Sequence, residues 1–448
     1  MDARAEAGRG TAIPEVVTGR RSRAGALGLC LAGALLAVLP GCFFLSKKAQ
    51  QPSTPPASPY PIDFPLISKW EWRGHGKIVG RPVTDSDRVY MTTADGYCYA
   101  VNRADGKTAW EFKAMKPFAT YPLLVADRLI VYTVEDEYYE LNAETGEALY
   151  KQFKFGKPVS TGTMAGDILY FASGDSQIRC YSTRDHRMSW KFTADGKVMS
   201  PPVVDGQRAY FGALDGCLYC LRSDDGTLLW KSKCGGEIRG RPAVARELVI
   251  ANSTDNFIYA IDRSKGTISW RVMTHADIVN SPVVMEVKGS ERIFVAGFDG
   301  CMYSLKANGN WVSRVTIPAR MYDDLLAFDT MILVGAFSNT VLALDPSNGN
   351  GLGKLDLPSE VRAGLLLSDR TLYVPMFDAE TGEGILGAYV TQPPPPPQTQ
   401  PAAQAQPAAQ AKPAPQSQPA AQAKPTSQSQ PAGQTQSSGT QSASKPGA

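Results

Sequence analysis

Cys217 and Cys220 stand three residues apart in "CLYC". In a loop that spacing could hold zinc or a redox-active disulfide. Here it sits inside "DGCLYCLR", an apolar run that predicts a strand, where residues three apart point to opposite faces. The pair reads as two core thiols rather than one reactive site. The three histidines, His75, His186 and His275, are far apart in sequence and offer no imidazole cluster for a metal or for acid–base chemistry. The notable acid clusters are Glu135-Asp136-Glu137 and Asp323-Asp324. Both read as solvated turns, although carboxylate ligation of a hard cation stays open on spacing alone. With 46 Lys and Arg against 43 Asp and Glu, the formal charge is +3. That leaves no global field to attract nucleic acid or an anionic surface.

A different chemistry attaches to Cys42. Arg20, Arg21 and Arg23 precede the apolar stretch "AGALGLCLAGALLAVL" (24–39), which falls short of the roughly 20 residues needed to span a bilayer. It ends in Leu39-Pro40-Gly41-Cys42, an order that resembles the lipobox of bacterial lipoproteins. The resemblance implies cleavage after Gly41 and acylation of Cys42; an ordinary secretory cleavage site is the alternative. Residues 1–41 are therefore read as a lipoprotein signal peptide. Residues 42–66, rich in Ser, Pro and Gln, are read as the lipidated cysteine and a flexible tether. Residues 392–448 carry no aromatic and no acid and are read as a disordered Pro/Gln/Ala-rich tail. Export would permit disulfides among Cys98, Cys180, Cys217, Cys220, Cys234 and Cys301, whose state the spacing leaves open.

The elements between tether and tail are short alternating runs such as "RLIVYTV", "DILYFAS" and "RAYFGAL", bounded by Gly, Asp and Asn, with no sustained helical period. They predict an all-β region. Trp70, Trp110, Tyr150, Trp190, Trp230 and Trp270 recur every 40 residues, and Trp311 follows at 41. Ten residues before the aromatic stands a small residue at Ala100, Cys180, Cys220 and Ala260, with Glu140 the exception. Gly106, Gly146, Gly226 and Gly266 recur four residues before it. A period of this size marks a propeller or solenoid. Eight inner phrases can be counted, the last at 384–390, and the first strand, "ISKWEWRG" (67–74), has none in front of it. The expectation is an eight-bladed β-propeller of four-stranded blades over residues 67–391, closed when the N-terminal strand completes the last blade. An open solenoid would leave Trp70 unpaired. Gly353 falls in the tryptophan column of the seventh blade, which predicts a weaker interface there.

The phrase resembles the PQQ-like repeat, Ala-x-Asp-x-x-Thr-Gly-x-x-x-Trp. Ala260, Asp262, Gly266 and Trp270 match it; so do Ala100, Gly106 and Trp110, and Asn142, Thr145 and Gly146 with Tyr150 in the last place. The resemblance implies that Trp70, Trp110, Tyr150, Trp190, Trp230, Trp270 and Trp311 dock between blades, against the Ala and Gly of a neighbour. Two branches share such repeats. Quinoprotein dehydrogenases would bring a cofactor, a vicinal disulfide and long insertions, whereas this chain has no Cys-Cys and keeps repeats near 40 residues. The BamB family would bring a non-catalytic lipoprotein without cofactor or metal. It would sit as a monomer within a complex, lipid-anchored at the outer membrane with its propeller in the periplasm, bound to the β-barrel assembly machinery. Phe43, not Asp, follows Cys42, which suits outer-membrane sorting. For that branch the resemblance points to Ile238 and Arg239 of "EIRGRP" and to Asp277 ahead of Pro282 as partner-binding residues. A solvated loop is the alternative, since "GRP" also occurs at 80–82. A PQQ-like propeller lipoprotein with another protein- or ligand-binding role is the remaining reading.

Overall fold

Each alternating run becomes one strand of an antiparallel sheet, and each Asp-Gly or Asx turn becomes the connection to the next. The computed structural model describes residue 58 and residues 60–394, apart from 119, 318–323 and 336–337. The signal segment, Cys42, most of the tether and the tail beyond 394 lie outside the described residues. Blade 4 shows the pattern: Val203–Asp205, Arg208–Gly212, Cys217–Arg222 and Leu228–Lys233 pair in sequence order from the inside outward. Blades 1 to 7 lie within residues 78–113, 123–153, 163–193, 203–233, 243–273, 283–316 and 326–356. In the second and third strands both faces are covered by neighbouring blades, so nearly every residue is buried, as in Arg208–Gly212 and Cys217–Arg222. The fourth strands are half exposed.

Closure occurs as the repeat count predicts. Leu66–His75 pairs antiparallel with Glu383–Thr391, from Leu66 opposite Thr391 to His75 opposite Glu383, and Trp70 stands opposite Ala388. The first strand of the chain is thus the outer strand of blade 8, followed inward by Glu383–Thr391, Thr371–Asp378 and Leu366–Ser368. A sheet closed this way leaves no free edge at the join.

The aromatic column has a defined geometry. Ala100, Cys180, Cys220 and Ala260 are the cross-strand partners of Trp110, Trp190, Trp230 and Trp270 in the same blade. The small residue therefore lies beside its own blade's indole, not in the neighbour as the repeat resemblance implied. The glycine does belong to the next blade. A Cβ on Gly106, Gly146, Gly226, Gly266 or Gly309 would come within 3 Å of Trp70, Trp110, Trp190, Trp230 or Trp270 respectively. All five glycines have positive φ, the region in which a Cβ is disfavoured. Each indole N–H also donates to a main-chain carbonyl of that next turn: Arg103, Ala143, Ser223, Arg263 and Ala307, at 2.9 to 3.1 Å.

Three interfaces depart from this dock. Between blades 2 and 3, Tyr150 stacks on His186 with ring centroids 3.7 Å apart. His186 occupies the glycine position with φ 53°. The exceptional Glu140 is buried beside them, taking Arg128 Nη1 at 2.7 Å and the Tyr138 hydroxyl at 2.6 Å. The smaller phenol leaves space for both the imidazole and the carboxylate. Between blades 6 and 7 the shortened turn shifts the register: Ser304 faces Ser313, and Trp311 faces Leu305. Trp311 therefore lies outside the column, 48 % exposed, against the Tyr303 ring at 5.4 Å, while Val315 and Ser313 lie over Gly349. Between blades 7 and 8, Gly353 leaves an empty slot, and Phe64 fills it; a Cβ on Gly353 would come 2.2 Å from Phe64 Cγ. Ile62 is fully buried beside it, and Tyr60 and Phe64 pack on the same core of blades 7 and 8. Residues 60–66 are thus part of the packed propeller rather than of a free tether.

Candidate functional site

The reactive side chains do not converge. Cys217 packs between blades 3 and 4 and Cys220 between blades 4 and 5, on opposite faces of their strand. The six described cysteines are free and buried. Burial pushes the Cys180 and Cys220 thiols up to about 11 and Cys234 up to about 12, so these three are not thiolate nucleophiles at neutral pH. His75 ends the closing strand and stacks on Tyr97 at 5.4 Å. His186 lies at the boundary of blades 2 and 3, and His275 in the connection after blade 5. Of the acid clusters, Glu135 pairs with Lys116 at 2.7 Å and Asp136 accepts the amides of Gly156 and Lys157. Glu137 is buried near Lys151, not solvated as its turn suggested. Among the described residues no group of three or more His, Cys, Asp or Glu is placed to hold a metal.

The candidate contact surface is the pair of connections leading into blades 5 and 6. Both are built on the same template. Ile238 and Ile278, 40 residues apart, are each fully buried plugs beneath their loops. Ile238 lies against Gly212, where a Cβ would come 2.1 Å from its Cγ2. Ile238 is therefore a core residue and is removed from the contact surface; its apolar side chain serves the repeat. Arg239 and Asp277 are exposed. The Arg239 guanidinium meets one oxygen of Glu237, Oε2, through Nε at 2.7 Å and Nη2 at 2.5 Å. Asp277 contributes its main-chain carbonyl to the Phe298 amide, leaving its carboxylate at the surface. Met273, His275, Trp311 and Arg314 line a groove of about 510 Å³. Met273 and Trp311 are 62 % and 48 % exposed, an unusual exposure for such large apolar side chains. This groove was not legible in the sequence, where Trp311 reads as one more column residue.

Comparison with known proteins gives a consistent picture. The family model described as outer membrane protein assembly factor BamB matches residues 65–162, 151–219 and 208–374. No curated protein sequence matches the chain. The crystal structure of BamB from Moraxella catarrhalis is similar with a TM-score of 0.61 at 15 % identity, covering 72 % of this chain and 99 % of that one. The computationally designed Ika8 protein is similar with a TM-score of 0.60 at 14 % identity, covering 70 % and 97 %. A designed protein aligns almost as well as a natural one, so these two likenesses speak to the fold and not to a task.

Proposed function

The chain belongs to the family of the outer membrane protein assembly factor BamB, and from that premise we propose that it is a non-catalytic scaffold lipoprotein. In this reading Cys42 carries the lipid anchor, the propeller lies in the periplasm, and the chain works as one subunit of an outer-membrane β-barrel assembly machinery. The observation that carries the reading is the family match across residues 65–374, which runs through every blade. Arg239 and Asp277 supply it with a surface. A guanidinium already paired with Glu237 loses little freedom when a carboxylate or carbonyl of a partner meets it. The groove of Met273, His275 and Trp311, which follows blade 5 close to Asp277 in the chain, offers the kind of Met and Trp surface from which interface cores are built.

The test is affinity purification of the tagged lipoprotein from membranes, with identification of its companions. A β-barrel assembly subunit should co-purify with the wild type and be lost with Arg239→Glu. That variant should unfold within ~0.5 kcal/mol of the wild type, as exposed sites generally do. Normal co-purification of the charge reversal would remove Arg239 from the contact. A wild-type preparation carrying no assembly subunit would sink the scaffold reading.

A further inference from the structure

In seven blades one residue stands two positions before the first paired residue of the inner strand: Tyr121, Thr161, Pro201, Arg241, Ser281, Asp324 and Gly364; its counterpart in blade 1 is Arg81, two positions before Val83, where pairing resumes after a bulge. The two arginines belong to blades 1 and 5, half a turn apart in a ring of eight. A cavity of about 760 Å³ occupies the channel beside the inner strands of blades 4 to 7, and Arg81 is the one lining residue from the opposite half. Its side chain thus reaches across the axis. Gly364 makes this possible, since a Cβ there would press on the Arg81 stem at 3.1 Å. Arg241 lines the same cavity and donates from Nη2 to Thr163 Oγ1 of blade 3 at 3.2 Å.

The acids of this cavity are already engaged. Asp205 pairs with Arg263, and Glu286 with Arg246 Nη2 at 2.5 Å. Glu291 accepts the Arg246 amide at 3.0 Å, and Asp324 accepts the Ser281 amide at 2.9 Å. Arg81, by contrast, makes no hydrogen bond or ion pair among the described residues, and Arg241 has only a neutral hydroxyl. Among the described residues these two guanidinia have no carboxylate partner, and, partly withdrawn from solvent in a concave site of ligand size, they offer forked donors to an anionic ligand.

We propose that the channel is a binding site for a compact polyanion, one bearing at least two phosphate or carboxylate groups, gripped between Arg81 and Arg241. Two opposed forks favour a ligand with two anionic ends over a single one, and each supplies the planar pairing that such groups accept. Arg241 follows Arg239 by two residues on the connection into blade 5; Arg239 is exposed, whereas Arg241 lines the channel.

Titration calorimetry of the detergent-solubilised full chain at low salt tests this with inorganic pyrophosphate in one arm and citrate in the other, acetate serving as the single-charge reference. The expected result is saturable one-to-one binding of pyrophosphate, citrate or both, tighter than acetate; which arm binds tells phosphate from carboxylate chemistry. Arg81→Gln and Arg241→Gln should each weaken that binding by about tenfold, the usual loss for one charge-assisted pair, and the double variant should abolish it. Absence of binding by both probes at millimolar concentration overturns the proposal, as does unchanged affinity in the double variant. Should the double variant fail to fold, Arg81→Gln alone decides, because its side chain holds no structural bond; unchanged affinity there is equally fatal.

Discussion

Replacing Trp230 with alanine removes an indole that covers Gly266 of the next blade and donates to the Arg263 carbonyl at 3.1 Å. An indole presents roughly 200 Å², and most of it is covered here, so at about 25 cal/mol per Å² its burial is worth up to ~4 kcal/mol. The Arg263 carbonyl keeps the Arg208 guanidinium as a donor, so loss of the indole N–H bond adds little to the cost. The Gly266 turn is fixed by its own hydrogen bond to Asp262 and cannot collapse into the gap, so relaxation recovers little. The expected cost is ~4 kcal/mol, within the range for a large aromatic deleted from a core. Trp311, identical in kind and nearly in phase, is 48 % exposed, and its indole N–H makes no hydrogen bond among the described residues. Trp311→Ala should cost only ~1 kcal/mol, near the average for any substitution. For a ring of about 330 residues the unfolding entropy is roughly 0.7 kcal/mol per degree, giving shifts of ~6 °C and ~1–2 °C. Differential scanning calorimetry of the two variants measures both. Equal shifts would show that the 40-residue column, and not the register shift in blade 6, decides which tryptophans hold the ring together.

Phe64→Ala should cost ~2–3 kcal/mol and expose residues 60–66 to limited proteolysis while the blades stay intact, because Phe64 alone covers Gly353; a proteolysis pattern like that of the wild type would refute the plug. Burial works against the ionised form of Asp85, but the Tyr90 hydroxyl and the amides of Asp87 and Arg88 outweigh it and hold its carboxyl below the ordinary value. A lowered carboxyl adds stability that is complete above the unfolded value near 4 and is lost as pH falls through the folded one. Asp85→Asn should therefore destabilise at pH 7 and approach the wild type as pH falls through that lowered value; denaturation midpoints followed from neutral to acid pH check this, and a constant gap would refute it. Cys42→Ala should move the protein from the membrane fraction to the soluble one, since two or more acyl chains are needed for stable anchoring; unchanged fractionation and lipid labelling would end the anchor assignment.

Much of the fold was legible because a repeat writes the same physics many times. The count of eight and the unpaired Trp70 strand fixed the closure without any contact information, since a sheet edge must be paired. What the period could not convey was which face each column residue serves. Ten residues of spacing does not say whether Ala100 is the neighbour of Trp110 in its own blade or its lid in the next; only the bulged register settles that. The same limit applied to Ile238. Beside Arg239 it reads as an exposed anchor, yet its equivalence to Ile278 was present in the sequence and marks it as a repeat plug. The channel ring was hidden for another reason. Arg81 and Arg241 are 160 residues apart, and their meeting follows from the half-turn between blades 1 and 5, visible only once the ring is closed.

The three irregular seams show how such a ring tolerates the loss of its signature dock. Five interfaces use the tryptophan–glycine pair, and each departure is met by a substitution elsewhere: His186 against Tyr150, Val315 over Gly349, and Phe64 over Gly353. The first two compensations lie in the adjoining blades, where covariation along the repeat would be expected. The third comes from outside the repeat altogether, from the stretch leading to the closing strand. Propeller stability is close to a sum of neighbouring interfaces, so the blade 7–8 seam depends on a segment that no blade of its own supplies. Asp63 pairs with Arg370, the Asp63 amide donates to Thr391 Oγ1, and the Gln392 amide donates to the Pro65 carbonyl. The entry and exit of the ring are thereby fastened to each other beside the seam that Phe64 fills. A pull on the N-terminal segment meets Tyr60, Ile62 and Asp63 before it reaches Phe64 and Gly353, so these residues shield the seam from the rest of the chain.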